Sequence, residues 1–381
     1  MIVAGLGGMG SAAAYHLARR GWRVLGLEAF TLGHTLGSSH GESRIIRLSY
    51  FEHPDYVPLL RRAYELWDQL QREAGTELLR LTGGLYVGAE DSSLVAGSLR
   101  SAQEHRLAHE VLDASEIRRR FPVMRPQESD VALYEPLAGV VFPERCIEAH
   151  LRLAARAGAD LRFEQPVRDW SVTRDGVEVV TNKARFQASR LVLTAGAWLG
   201  KVFGEVLLPL RVERNVVFWL EPRETPQLFA SERFPIFIWD TGESGSYYGV
   251  PHLEWQGVKV ARHHSGQYGD PDDIEREVSA QDEATVRQFV SPRIPALDGP
   301  VAKSMVCLYT NTPDEHFVVD VHSEHPSVIY AGGFSGHGFK FASVIGEVLA
   351  DLALKGPTMP EATFLRAGRL AHRSATSPTA R

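Results

Sequence analysis

The chain has 381 residues, 44% of them hydrophobic and 23% charged, with a formal net charge of −6 at pH 7. That composition allows a sizeable core in about two intertwined domains. The acidic balance, without a long basic run, argues against nucleic acid or an anionic membrane as partner. Cys146 and Cys307, the two cysteines, offer neither a disulfide framework nor zinc spacing, so a reducing cytoplasm suits the protein and no metal is expected. The apolar N-terminus lacks a basic leader and reads as mature structure. No stretch reaches the roughly 18 unbroken apolar residues of a membrane span.

In chain order, residues 1–4 predict a short buried strand, followed by "GLGGMG" and a helix from about Ser11 to Arg20, closed by Gly21. "WRVLGLEA" predicts the next parallel strand, ending at Glu28. Leu59, Leu60, Ala63, Leu66, Trp67 and Leu70 recur at helical spacing through 56–73. "GGLYVGA" reads as a strand, "SLVAGSLRSAQEH" and "CIEAHLRLAARAGA" as helices, and "DWSVTRDGVEVVT" as a hairpin turning at Asp175 and Gly176. "RLVLTAGAW" predicts a buried strand running into a glycine turn. Between 206 and 262 the alternating, aromatic text predicts antiparallel sheet. The stretch "SVIYAGGFSGHGFKFASVIGEVLADLAL" returns to strand, glycine turn and long helix, with Phe341, Ile345, Val348 and Leu352 on one apolar face. The tail after about Gly368 is expected to be loose. The outline is a mixed α/β protein. A nucleotide-binding domain (1–80, 145–205 and 301–381) would receive an inserted substrate domain (81–144 and 206–300).

Gly5, Gly7 and Gly10 form G-x-G-x-x-G between a strand and a helix. Such glycines allow a tight turn, close approach of a pyrophosphate and close helix–strand packing, with the helix N-terminus facing the phosphates at Ser11. Glu28 stands where a carboxylate can accept both ribose hydroxyls and repel a 2′-phosphate. The polar loop "GSSHGESRIIRLSY" and the second glycine cluster "GGFSGHG" suit the longer FAD better than NAD. An NAD-linked dehydrogenase remains the alternative from another class.

"HGESRIIRLSYFE", "YYGVP", "VKVARHHSG", "CLYTNTPDEHFVVD" and "GFSGHGFKFASVIGE", in that order, resemble the monomeric sarcosine oxidase / N-methyltryptophan oxidase family of flavoproteins. The resemblance implies a glutathione-reductase-like FAD-binding Rossmann domain with an inserted, mainly antiparallel substrate domain. It implies that Cys307 carries the flavin through a thioether; Cys146, in the helix start "PERCIEAHLRLA" with no comparable context, reads as structural. Arg47 and Lys340 are then the grip on a substrate carboxylate, and Lys259 is the cation that assists reaction with O2. Arg44 balances charge on the reduced ring, with His40 on the same loop beside the flavin. His263, Tyr309 and Tyr248 belong to the substrate pocket, and Tyr50 and Glu52 to a loop that could cover it. Gly196, Gly332, Gly333, Gly336 and Gly338 let backbone approach the cofactor, and the helix after them directs its positive end at the ring. The implied activity is oxidation of sarcosine by a cytoplasmic monomer, giving glycine, formaldehyde and hydrogen peroxide. N-methyltryptophan, proline and pipecolate are the alternative substrates.

Overall fold

The structure is a computed structural model that describes residues 1–203, 208–254, 257–354 and 359–371. A six-stranded sheet lies at its base, in the order Val318–Val321, Val328–Gly332, Leu191–Leu193, Ile2–Ala4, Leu25–Leu27, Asp160–Arg162. All its pairs are parallel except the first. The four inner strands are apolar at successive positions because both faces are covered. Val3, Val192 and Ile329 pack under the helices Gly8–Arg19, Tyr56–Ala74, Pro143–Arg156 and Ala342–Leu354. Ile2, Ala4, Leu191 and Leu193 pack against an antiparallel three-stranded sheet, Val167–Thr173, Gly176–Thr181 and Arg185–Ala188.

Two glycines decide how the first strand meets its helix. Gly5 has φ +90, a conformation that other residues resist. A Cβ on Gly10 would stand 1.8 Å from the Gly5 carbonyl oxygen, so only glycine lets the helix lie this close. The helix itself begins at Gly8, three residues before the expected Ser11, with Gly7 as its N-cap. Glycine's weak helix propensity hid that first turn.

The second sheet has nine strands. Eight run in the order Gln267–Tyr268, Arg211–Leu220, Val258–His263, Ser246–Val250, Ile236–Asp240, Gly84–Ala89, Asp130–Glu135, Glu110–Asp113. Only the junction between Ile236–Asp240 and Gly84–Ala89 is parallel. The ninth, Val301–Asn311, pairs along its length with Arg211–Leu220, from Arg211 opposite Asn311 to Leu220 opposite Val301. The expected domain boundary at 301 falls at the first residue of this strand. The register of this pair brings Cys307 opposite Asn215. A small sheet of Arg44–Ile46, Gly139–Val141 and Leu79–Leu81 lies between the two large ones in sequence. At the C-terminus Gly368–Ala371 forms a helical turn. The rest of the tail expected to be loose, 372–381, lies outside the described residues.

Candidate active site

A cavity of about 790 Å³ runs from the glycine loop to the inner ends of both sheets. Gly5, Gly7 and Glu28 line one end; Arg44, Arg47, Cys307, Tyr309 and Lys340 line the other. Gly196, Gly332, Gly333, Gly336 and Gly338 also line it.

At the dinucleotide end Glu28 is buried, and its carboxylate accepts from Leu6 N at 2.7 Å and Phe30 N at 3.2 Å. Each oxygen retains a further lone pair to offer a ribose hydroxyl. Ser39 accepts from Gly8 N at 3.1 Å, a helix-start contact across 31 residues that the sequence did not reveal. Gly10 and Ser11, expected to touch the cofactor, do not line the cavity. Gly10 faces Gly5, and Ser11 turns inward to donate to Gly8 O at 3.1 Å.

At the far end Cys307 is 2% exposed, with Arg44 Nη2 3.7 Å and His40 Nδ1 3.9 Å from its sulfur. Burial disfavours the thiolate, but His40, Arg44 and Lys259 outweigh it and bring the thiol down to about 6. Arg44 donates to the carbonyls of Ser43 and Ser38 at 2.8 and 2.9 Å. His40 stands behind the wall, with Nε2 against Gly37 O at 3.0 Å. Cys146 is buried beside the Leu78 carbonyl, and burial raises its thiol well above the ordinary value.

Lys259 also lies one layer behind the cavity, not on its surface. Its ammonium donates to Gly41 O and Ser43 O, each at 2.8 Å, and to Ser43 Oγ at 3.3 Å. Those three acceptors hold it there. Burial, then Arg44, pushes its pKa down to about 7.

Arg47 is held by Glu52, whose two carboxylate oxygens each accept from Nη2 at 2.7 Å, and by Ser49 O at 2.9 Å. Its guanidinium lies 4.1 Å from the Tyr50 ring centroid and 4.7 Å from that of Phe51. Lys340 donates to His337 O at 2.6 Å and approaches Tyr50 OH at 3.5 Å. Burial, then Arg47, pushes Lys340 down to about 7. Burial opposes ionisation of Glu52, yet Arg47, His337 and Lys340 hold its carboxyl below the usual range. A protein carboxylate thus occupies an anion site made of Arg47 and Lys340. Tyr50, expected to bind substrate from a loop that could cover the pocket, is fully buried and does not line the cavity; its hydroxyl meets His337 Nδ1 at 2.5 Å. His337 went unnoticed inside the glycine cluster, although it lines the cavity and its Nε2 meets Glu315 O at 2.9 Å.

His263 faces Tyr309 OH at 3.3 Å, and Tyr309 in turn bonds Tyr248. Burial, with His264, His337 and Lys340 adding to it, keeps His263 well below its ordinary pKa and therefore neutral. Gly336, with φ +76, brings the turn against Tyr309: a Cβ there would stand 2.4 Å from its ring. Its neighbour His264 is tied instead to Glu213 at 2.8 Å.

One continuous cavity joining a dinucleotide cradle to a cysteine and three cations fits FAD. The comparisons agree. Residues 1–352 match the FAD dependent oxidoreductase family. Monomeric sarcosine oxidase of Streptomyces avermitilis is 50% identical over 94% of both chains. This chain belongs to the monomeric sarcosine oxidase / N-methyltryptophan oxidase family of FAD-dependent oxidoreductases. N-methyl-L-tryptophan oxidase of Salmonella arizonae is 34% identical over 97% of this chain and 98% of its own. The crystal structure of L-proline dehydrogenase from P. horikoshii shares the fold, with a TM-score of 0.84 at 22% identity, covering 98% of this chain and 97% of that one. The NAD-linked alternative is thereby set aside. Among the described residues no helix is long and apolar enough to cross a membrane.

Proposed function

We propose that the protein is an oxidase of small N-methyl amino acids, with sarcosine, O2 and H2O giving glycine, formaldehyde and H2O2. The observation that carries this reading is the Glu52 carboxylate clamped by Arg47 beside Lys340, in the cavity that Cys307 also lines. Such a site takes the carboxylate of an amino acid once Glu52 withdraws, with the bidentate reach of a guanidinium and the point charge of an ammonium. Bound FAD supplies the two-electron acceptor for the C–N unit. Neutral His263 does not repel an amine, and the Tyr309 and Tyr248 hydroxyls give that amine polar partners. Water then splits the C=N product.

Lys259, a buried cation, lowers the cost of placing negative charge on O2. Arg44 and His40 keep Cys307 in the thiolate form needed to bond the flavin's 8α-methyl. Closing that thioether removes two electrons and two hydrogens in all, with O2 as final acceptor. The FAD segments and the inserted substrate segments then meet along the cavity in a monomeric enzyme of the cytoplasm.

Peroxide and formaldehyde release from sarcosine, N-methyl-L-tryptophan, proline and pipecolate test the reading. Sarcosine is expected to give the highest kcat/KM, with equal amounts of both products. A preference for N-methyl-L-tryptophan would transfer the reading to larger side chains, and flavin reduction without peroxide would end it.

A further inference from the structure

Glu144 sits in the first turn of the helix Pro143–Arg156, where a carboxylate ordinarily serves the helix. Here its Oε1 accepts instead from the backbone N–H groups of Gly41 at 2.8 Å and Glu42 at 3.0 Å, about a hundred residues away. Both have positive φ, +93 and +66, which a non-glycine residue such as Glu42 adopts only when something outside holds it. The other side of this turn presents the carbonyls of Gly41 and Ser43 to the Lys259 ammonium, each at 2.8 Å. A carboxylate and an ammonium therefore draw on the two poles of one short turn, and each strengthens the other's hydrogen bonds.

We propose that Glu144 is a positioning residue for Lys259: it fixes the 41–43 turn that orients the ammonium and brings a negative charge to the opposite side of that turn. The inference rests on Lys259 acting in the O2 step, in which two electrons originating in the substrate and two protons convert O2 to H2O2. Lys259 contributes charge to that step, not electrons. The groups facing Lys259 come from several elements. Arg44 opposes its charge, while the Cys307 thiolate, Glu144 and Glu42 favour it. His40 adjoins the same sulfur, and the Trp219 ring centroid lies 5.3 Å from the Lys259 ammonium and 5.0 Å from that of Lys303. Glu42 is paired with Lys303 at 2.5 Å, whereas Glu144 directs its charge at the turn.

The test is stopped-flow reoxidation and anaerobic reduction of the holoenzyme between about pH 5.5 and 9, in wild type, Glu144→Gln, Glu144→Ala and Lys259→Met. In Glu144→Gln the amide oxygen still accepts both N–H groups but the charge is gone. Its reoxidation should fall off about one pH unit earlier, roughly tenfold slower near pH 8, while the midpoint of the reduction profile stays in place. Glu144→Ala, which also frees the turn, should be slower at every pH. Coincident reoxidation profiles for Glu144→Gln and wild type, with Lys259→Met slow, would overturn the role of Glu144 alone. An equal shift in reduction would assign Glu144 a general structural role and overturn it too. Lys259→Met reoxidising at wild-type speed would remove the reading of Lys259 and this inference with it.

Discussion

The two ends of the cavity are built from different materials. The dinucleotide end is made of backbone and a missing side chain: Gly5 turns with φ +90, Gly10 leaves room for the Gly5 carbonyl, and Glu28 is tied to two peptide N–H groups. The reacting end is made of charged side chains that come from widely separated segments: Arg47, Lys259 and Lys340, which are buried, and Arg44, which is partly so. A backbone cradle tolerates change in sequence as long as the glycines stay. A cluster of buried cations holds only while each is compensated, because an uncompensated buried charge costs several kcal/mol. On the proposed function, affinity for the cofactor and reactivity toward substrate should be separable by substitution at one end or the other.

Substitutions can break that separation at either end. The largest effect is expected at Lys259→Met, which should slow reoxidation by O2 by roughly 10²–10³-fold while reduction by substrate survives. Rapid-mixing absorbance at the flavin bands checks it, and equal slowing of both steps would place Lys259 elsewhere in the mechanism. Arg47→Ala should raise KM for sarcosine by roughly 10²-fold, since it removes a charged partner and leaves Glu52 buried; steady-state kinetics decides, with FAD content unchanged. Gly10→Ala acts at the opposite end. It should lower stability by about 1–3 kcal/mol through overpacking and reduce the FAD retained, without changing KM in the loaded fraction; thermal melts and FAD-to-protein ratios measure this.

The smallest effect is a pH dependence. Lys340, depressed to about 7 by burial and Arg47, is charged below that pH and neutral above it. KM for sarcosine should therefore be lowest below about pH 7 and rise severalfold by about pH 9. A KM flat over that range would mean that Lys340 keeps its proton or is not part of the anchor.

The same contrast explains what could be read in advance. The glycine motif with Glu28 carries its own local context, since strand, turn and helix follow one another in sequence, so that end of the cavity was legible. The reacting end was reached only through resemblance, because no spacing rule connects Arg47 with Lys340 or Cys307 with His40. Local reasoning failed where a hydrogen bond, near or distant, claimed the side chain. Ser11 sits in the motif but turns inward to Gly8. Tyr50 and Lys259 lie a layer behind the cavity because His337 and the 41–43 turn claim their polar atoms. His337 and Glu144 were invisible as single letters in a glycine cluster and at a helix start. The partner of the strand Val301–Asn311 was not legible either, since residue spacing says nothing about which strand lies alongside.

On the proposed function the flavin ring lies bonded to Cys307. Acid-precipitated, washed holoenzyme should stay yellow, and its proteolytic peptide containing Cys307 should carry the mass of FAD. Colour released wholly into the supernatant, with that peptide unmodified, would contradict it.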